Sequence, residues 1–124
     1  IDKRRTRPNE SAVMHIVGDV NGKVALLVDD MIDTAGTLTG GARALVEKGG
    51  ATRVIAVATH GVLSGPAIQR LKDSPIELVI TTDTIPLSEG AKNMGKMENV
   101  SVADLFAKAI RSIHEADSVS RLFL

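Results

Sequence analysis

The apolar run Val24 to Val28 leads straight into Asp29-Asp30-Met31-Ile32-Asp33-Thr34-Ala35-Gly36-Thr37, after which Leu38, Ala42, Leu45 and Val46 recur at helical spacing. That is a buried strand, a short polar loop and an amphipathic helix in direct succession. Gly49-Gly50 closes the helix, although Gly40 and Gly41 weaken it locally. Val54 to Ala58 reads as a second strand, Pro66 to Leu71 as a short helix and Ile76 to Thr82 as a third strand, both strands dominated by β-branched residues. Strands that alternate with helices pair in parallel. Earlier, Ala12 to Val17 and Lys23 to Val28 flank Gly18-Asp19-Val20-Asn21-Gly22, whose Asn-Gly step is a strong hairpin signal. The expected fold is therefore an α/β, three-layer arrangement: a mainly parallel twisted sheet with flanking helices and an N-terminal antiparallel hairpin. Residues 83 to 97 read as a long polar loop with Pro86, Gly90 and Gly95. Val102, Leu105, Phe106, Ala109, Ile110 and Ile113 then form an amphipathic stripe, begun by Ser101 and Asp104 as a capping-box-like pair.

Composition narrows the function classes. A chain of 124 residues with 44% hydrophobic content can bury one core, so one domain is expected. There is no cysteine, which removes disulfides, thiolate ligands and a cysteine nucleophile together. No apolar stretch approaches the roughly 20 residues of a membrane span, and the first residues are too polar for a signal peptide. The expected setting is soluble and cytoplasmic, without a membrane partner. Fifteen basic and fifteen acidic residues cancel, and Phe106 and Phe123 are the sole aromatics. Neither a basic excess nor a stacking platform is available for nucleic acid.

The loop after Val28 carries the chemistry. Three acids within five positions repel one another, a cost that donors or cations must offset. A single Asp30 or Asp33 would be an ordinary helix cap. Together with Thr34, Gly36 and Thr37 they suit a sugar phosphate: carboxylates accept from ribose hydroxyls, while amides at a helix start wrap a phosphate. In open α/β sheets such loops sit where ligands bind. Upstream, Lys3-Arg4-Arg5 and Arg7 concentrate positive charge at one end of a neutral chain. Alone that run reads as a solvated basic patch. His15, His60 and His114 lack the spacing of a metal site, and no metal ligand is assigned. His60, at a strand end on the ligand side, is the one histidine placed to line the site.

The block Asp29 to Thr37 resembles the phosphoribosyl-diphosphate-binding motif of type I phosphoribosyltransferases and ribose-phosphate diphosphokinases. Asp2-Lys3-Arg4-Arg5 with Arg7-Pro8-Asn9 is similar to the catalytic flexible loop of the diphosphokinases, a run the transferases lack. Thr59 to Ala67, Asp83-Thr84-Ile85-Pro86-Leu87 and Ser118 to Phe123 extend the likeness over nearly the whole chain. The resemblance implies a type I phosphoribosyltransferase-like fold and transfer of a diphosphoryl group from Mg-ATP to the C1 hydroxyl of ribose 5-phosphate, giving 5-phosphoribosyl 1-diphosphate and AMP. It implies catalytic roles for Lys3 and Arg5. Ribose 5-phosphate contacts fall on Arg5, Asp29, Asp30, Asp33, Thr34, Ala35, Gly36 and Thr37. Ser118, Ser120 and Phe123 resemble a regulatory tail, with a simple docking tail an equal reading.

Ile1-Asp2 enters a charged loop without an initiator Met, and the likeness is to the second of two similar halves. The expectation is a flexible catalytic-loop segment over 1–11 and a phosphoribosyltransferase-like domain over 12–124. A preceding half would hold adenine and most Mg²⁺ ligands, so the fragment alone is expected to be inactive, and the whole protein to be a homo-oligomer. Two alternatives remain: a type I phosphoribosyltransferase, and a non-catalytic regulatory homologue.

Overall fold

The computed structural model describes residues 2–4 and 13–123, and only the backbone of residues 2–4, 13 and 14. Four strands, β3 (Val24–Ile32), β4 (Arg53–Gly61), β5 (Ile76–Thr82) and β6 (Met97–Val100), form one parallel sheet in sequence order. Helices α1 (Gly36–Glu47), α2 (Ala67–Lys72) and α3 (Glu89–Lys92) occupy the crossovers, and α4 (Ala103–His114) and a 3-10 turn (Val119–Phe123) follow. The alternation read from sequence is thus realised as an α/β fold.

Register explains the core. Ala25, Leu27 and Asp29 of β3 stand opposite Val54, Ala56 and Ala58 of β4, and Ala56 and Ala58 stand opposite Val79 and Thr81 of β5. Because strand side chains alternate, these residues share one face. On it Val54, Ala56, Val79, Ala42, Ala67, Leu71 and Ile76 have no exposure at all. Alanines on β4 and α1 let helix and sheet approach closely, and Leu71 fills the centre; burying such a side chain contributes about 1.5–3 kcal/mol. The opposite face presents Leu26 and Val28 to solvent.

Two sequence expectations are corrected. The antiparallel pair exists, but it joins β1 (Asp2–Arg4) to β2 (Val13–His15); the segment 23–28 pairs in parallel with β4 instead of closing a hairpin with 12–17. Asn21-Gly22 does turn the chain, with Lys23 N–H donating to Val20 O at 3.1 Å. Gly22 N–H, however, bonds Gly50 O at 2.9 Å, so the turn docks on the end of α1. Gly49 and Gly50 make this possible: a Cβ at either would lie within 2.6 Å of the Val20 or Asn21 side chain.

The second correction concerns 83–97, read as loop. It contains α3, whose first turn is capped by Ser88 Oγ accepting from Ala91 N–H, and it delivers β6. In α4 the apolar stripe forms as expected, yet no residue of that helix is buried, and Phe106, Ile110 and Ile113 are largely exposed. The Ser101–Asp104 box is replaced: Asp83 Oδ1 accepts from Val102 N–H, and Ser101 Oγ from Ala103 N–H.

Candidate functional site

The carboxyl ends of the parallel strands place chemistry-bearing residues along one rim, as the fold class requires. Asp29 and Asp30 lie within β3, which runs on to Ile32 before the loop begins. The loop is short: Asp33 and Thr34 lead to Ala35, which adopts a left-handed backbone (φ 58) and stands just before the first residue of α1, Gly36. A left-handed alanine is strained by roughly 1–2 kcal/mol. Burial of its methyl group in the core offsets part of that cost.

A crevice of about 190 Å³ is lined by Asp29, Met31, Ile32 and residues 33–38. It brings together Asp29, Asp33, Thr34, Ala35, Gly36 and Thr37 of the residues singled out from sequence. Asp30 is not among them, because the next residue along a strand points to the other face. Each of the two strand carboxylates accepts from the following amide, Asp29 from Asp30 N–H at 2.9 Å and Asp30 from Met31 N–H at 2.7 Å.

The start of α1 is open to an anion. No side chain caps it, and no acid stands in its first turn. Among the described residues, the amides of Thr34, Ala35, Gly36, Thr37 and Leu38 donate to no protein acceptor. Helix starts leave such N–H groups pointing outward with the positive end of the helix dipole behind them. Thus a carboxylate that can accept sugar hydroxyls stands beside an amide cluster that can grip phosphoryl oxygens.

Behind the loop lies a second one that sequence reasoning did not connect to it. Ser64 N–H donates to Asp33 O at 3.1 Å, its hydroxyl donates to Asp33 Oδ1, and Leu63 N–H donates to Ile32 O at 2.9 Å. Arg70 of α2 donates through Nη1 to Thr34 O at 3.0 Å. The partners are 31 and 36 residues apart. The available signal was the strand order: consecutive parallel strands bring their carboxyl-end loops side by side.

The other candidates fall elsewhere. His60 shares a hydrogen bond of 2.8 Å with Thr84 Oγ1 and does not line the crevice. Lys3 lies in β1, paired with Met14, its side chain outside the description, and Arg5 lies outside the described residues. Ser118 precedes the final 3-10 turn and Ser120 lies within it, where Phe123 is exposed and Arg121 pairs with Asp117 at 3.0 Å. Among the described residues no group of three His, Asp or Glu side chains could hold a metal ion, and no helix is long and apolar enough to cross a membrane. A larger crevice, about 650 Å³, lies at the far end of α1 between residues 15–21 and 47–50. Its Asp19 is already paired with Lys23, and it faces the amino ends of the strands, away from the rim where such sheets bind ligands.

Known proteins are similar to this chain over nearly all of its length. The chain is 61% identical over 99% of its length to a ribose-phosphate pyrophosphokinase of Caldanaerobacter subterraneus subsp. tengcongensis and 58% identical over 98% to one of Aquifex aeolicus, covering 38% of each. It spans well under half the length of those relatives. A crystal structure of phosphoribosylpyrophosphate synthetase from Mycobacterium smegmatis superposes with a TM-score of 0.75 at 47% identity, over 81% of this chain and 33% of that one. Residues 4–124 match the family model described as the phosphoribosyl synthetase-associated domain, and the chain belongs to that family.

Proposed function

We propose that this chain holds ribose 5-phosphate in the crevice between β3 and α1, as part of an enzyme that makes 5-phosphoribosyl 1-diphosphate for nucleotide biosynthesis. The observation that carries this reading is the row of unpartnered amides from Thr34 to Leu38 next to the Asp29 carboxylate. The amides and the Thr34 and Thr37 hydroxyls take the 5-phosphate, and Asp29 accepts from ribose hydroxyls. The relatives' names, ribose-phosphate pyrophosphokinase, favour this substrate over the other sugar phosphates that such a cradle would fit.

In the proposed reaction the C1 hydroxyl oxygen attacks the β-phosphorus of ATP. The bond from that phosphorus to the oxygen bridging to the α-phosphate breaks, AMP leaves, and the hydroxyl proton is lost. Transfer of this kind asks the protein for positioning and for cationic stabilisation of the phosphoryl oxygens. Lys3 and Arg5 are assigned the second task on their likeness to the family's catalytic loop. Among the described residues no group of three His, Asp or Glu side chains makes a metal site.

The test is AMP release from ATP by the full-length parent, which is expected to require ribose 5-phosphate. Lys3→Ala should lower turnover by about a hundredfold or more with little change in KM for ribose 5-phosphate. Production of pyrophosphate from phosphoribosyl diphosphate and a base, without AMP, would instead identify a phosphoribosyltransferase.

A further inference from the structure

We propose that Ser64 and Arg70 are positioning residues for the phosphate cradle: the Arg70 side chain holds the Thr34 carbonyl and so aims the Ala35 amide at the ligand, and the Ser64 hydroxyl keeps the Asp33 carboxylate from occupying the amides beside it. This rests on the sugar-phosphate reading above. In a planar trans peptide the C=O and N–H point in opposite directions. Ser64 N–H fixes the Asp33 carbonyl at 3.1 Å, so the Thr34 N–H of the same peptide faces the other way. Arg70 Nη1 fixes the Thr34 carbonyl at 3.0 Å and does the same for the Ala35 N–H.

The Ser64 hydroxyl has a second effect. Asp33 lies two residues ahead of the N-cap Ala35, where an Asp carboxylate commonly turns onto the amide two residues on, here that of Ala35. Here the Asp33 carboxylate is engaged by Ser64, and α1 has no side-chain cap. Holding that carboxylate aside removes an internal competitor for the amides a phosphate would use. Arg70 also brings a charge that no carboxylate within 4.0 Å neutralises among the described residues, since it forms none of their ion pairs. Gly36 fits the same plan, because a Cβ there would lie 3.2 Å from Arg70 Nη1.

Calorimetric titration of the protein with ribose 5-phosphate and, separately, with inorganic phosphate tests this. Wild type is expected to bind both. Arg70→Ala should weaken both by about 10- to 100-fold, the range lost with a charge-assisted hydrogen bond, while Arg70→Lys recovers part of the loss. Ser64→Ala should weaken both with its melting temperature nearly unchanged. Asp29→Asn should reduce only the ribose 5-phosphate affinity. Should Arg70→Ala not fold, Ser64→Ala and Arg70→Lys decide the matter. Wild-type affinities in folded Ser64 and Arg70 variants would overturn the positioning roles and leave the crevice reading intact. Wild type that binds neither ligand would overturn both.

Discussion

The hydroxyl of Thr81 is buried against Gly61: a Cβ built on Gly61 would lie 3.2 Å from Thr81 Oγ1 and 3.1 Å from its Cγ2. Only 1% of Thr81 is exposed, and its hydroxyl has no hydrogen-bond partner among the described residues. A buried polar group without a partner costs about 1–3 kcal/mol relative to an apolar group of the same shape. Thr81→Val should therefore raise stability in urea by about 1 kcal/mol, whereas Gly61→Ala should lower it by about 1–3 kcal/mol through overpacking against a side chain that cannot move aside. A Thr81→Val variant no more stable than wild type would show that the hydroxyl has a partner.

Lys96 reaches from the approach to β6 to the end of α2, where its ammonium donates to the carbonyls of Leu71, Lys72 and Ser74 at 3.2, 3.1 and 3.0 Å. Leu71 and Lys72 end α2 and Ser74 lies just past it, so a cation there also meets the negative end of the helix dipole. Lys96→Met keeps the stem and removes the donors. A loss of about 1–2 kcal/mol is expected by thermal or denaturant unfolding.

Asp83 links β5 to the start of α4. Its carboxyl is held below the ordinary value of 3.8, first by the Ser101 hydroxyl and then by the Val102 amide, against a smaller opposing effect of burial. A carboxyl depressed in the folded state stabilises it above the unfolded pKa. That contribution is lost as pH falls from near 3.8 through the lower folded value. Stability measured from neutral pH downward should thus fall less steeply across that window in Asp83→Asn than in wild type. Parallel curves would contradict the linkage.

The two neighbouring acids of β3 should behave differently. Asp29 lines the crevice and Asp30 does not. Asp29→Asn should raise the dissociation constant for ribose 5-phosphate by about tenfold or more, and Asp30→Asn by less than about threefold. Equal losses would mean that both carboxylates reach the sugar.

Much of this arrangement was legible before any coordinates. The helical spacing of Leu38, Ala42 and Leu45, the β-branched run at Ile76 to Thr82 and the double glycine at 49–50 each report a local preference that tertiary packing reinforces. The strand β6 was not legible, because Met97-Glu98-Asn99-Val100 at a sheet edge has neither an apolar run nor alternation. The hairpin expectation failed for a different reason. Asn21-Gly22 carries a true turn signal, but the partner of Val24 to Val28 is chosen by burial of Ala25 and Leu27 against β4, a contact no local window contains. In the site, the motif from Asp29 to Thr37 was visible as a block. The separation of Asp29 from Asp30 became visible once β3 was seen to run through both. Ser64 and Arg70 were hidden because nothing within their own segment shows that it backs the loop at Asp33 and Thr34.

The most direct measurement follows backbone amide resonances as ribose 5-phosphate is titrated into the isotope-labelled protein. Saturable shifts should concentrate at Thr34, Ala35, Gly36, Thr37 and Leu38 with a smaller set around Asp29, and unphosphorylated ribose should leave the first group unmoved. Shifts that gather instead around Gly18 to Asn21 and Glu47 to Gly50, or no saturable shifts at all, would contradict the assignment of the crevice at the end of β3.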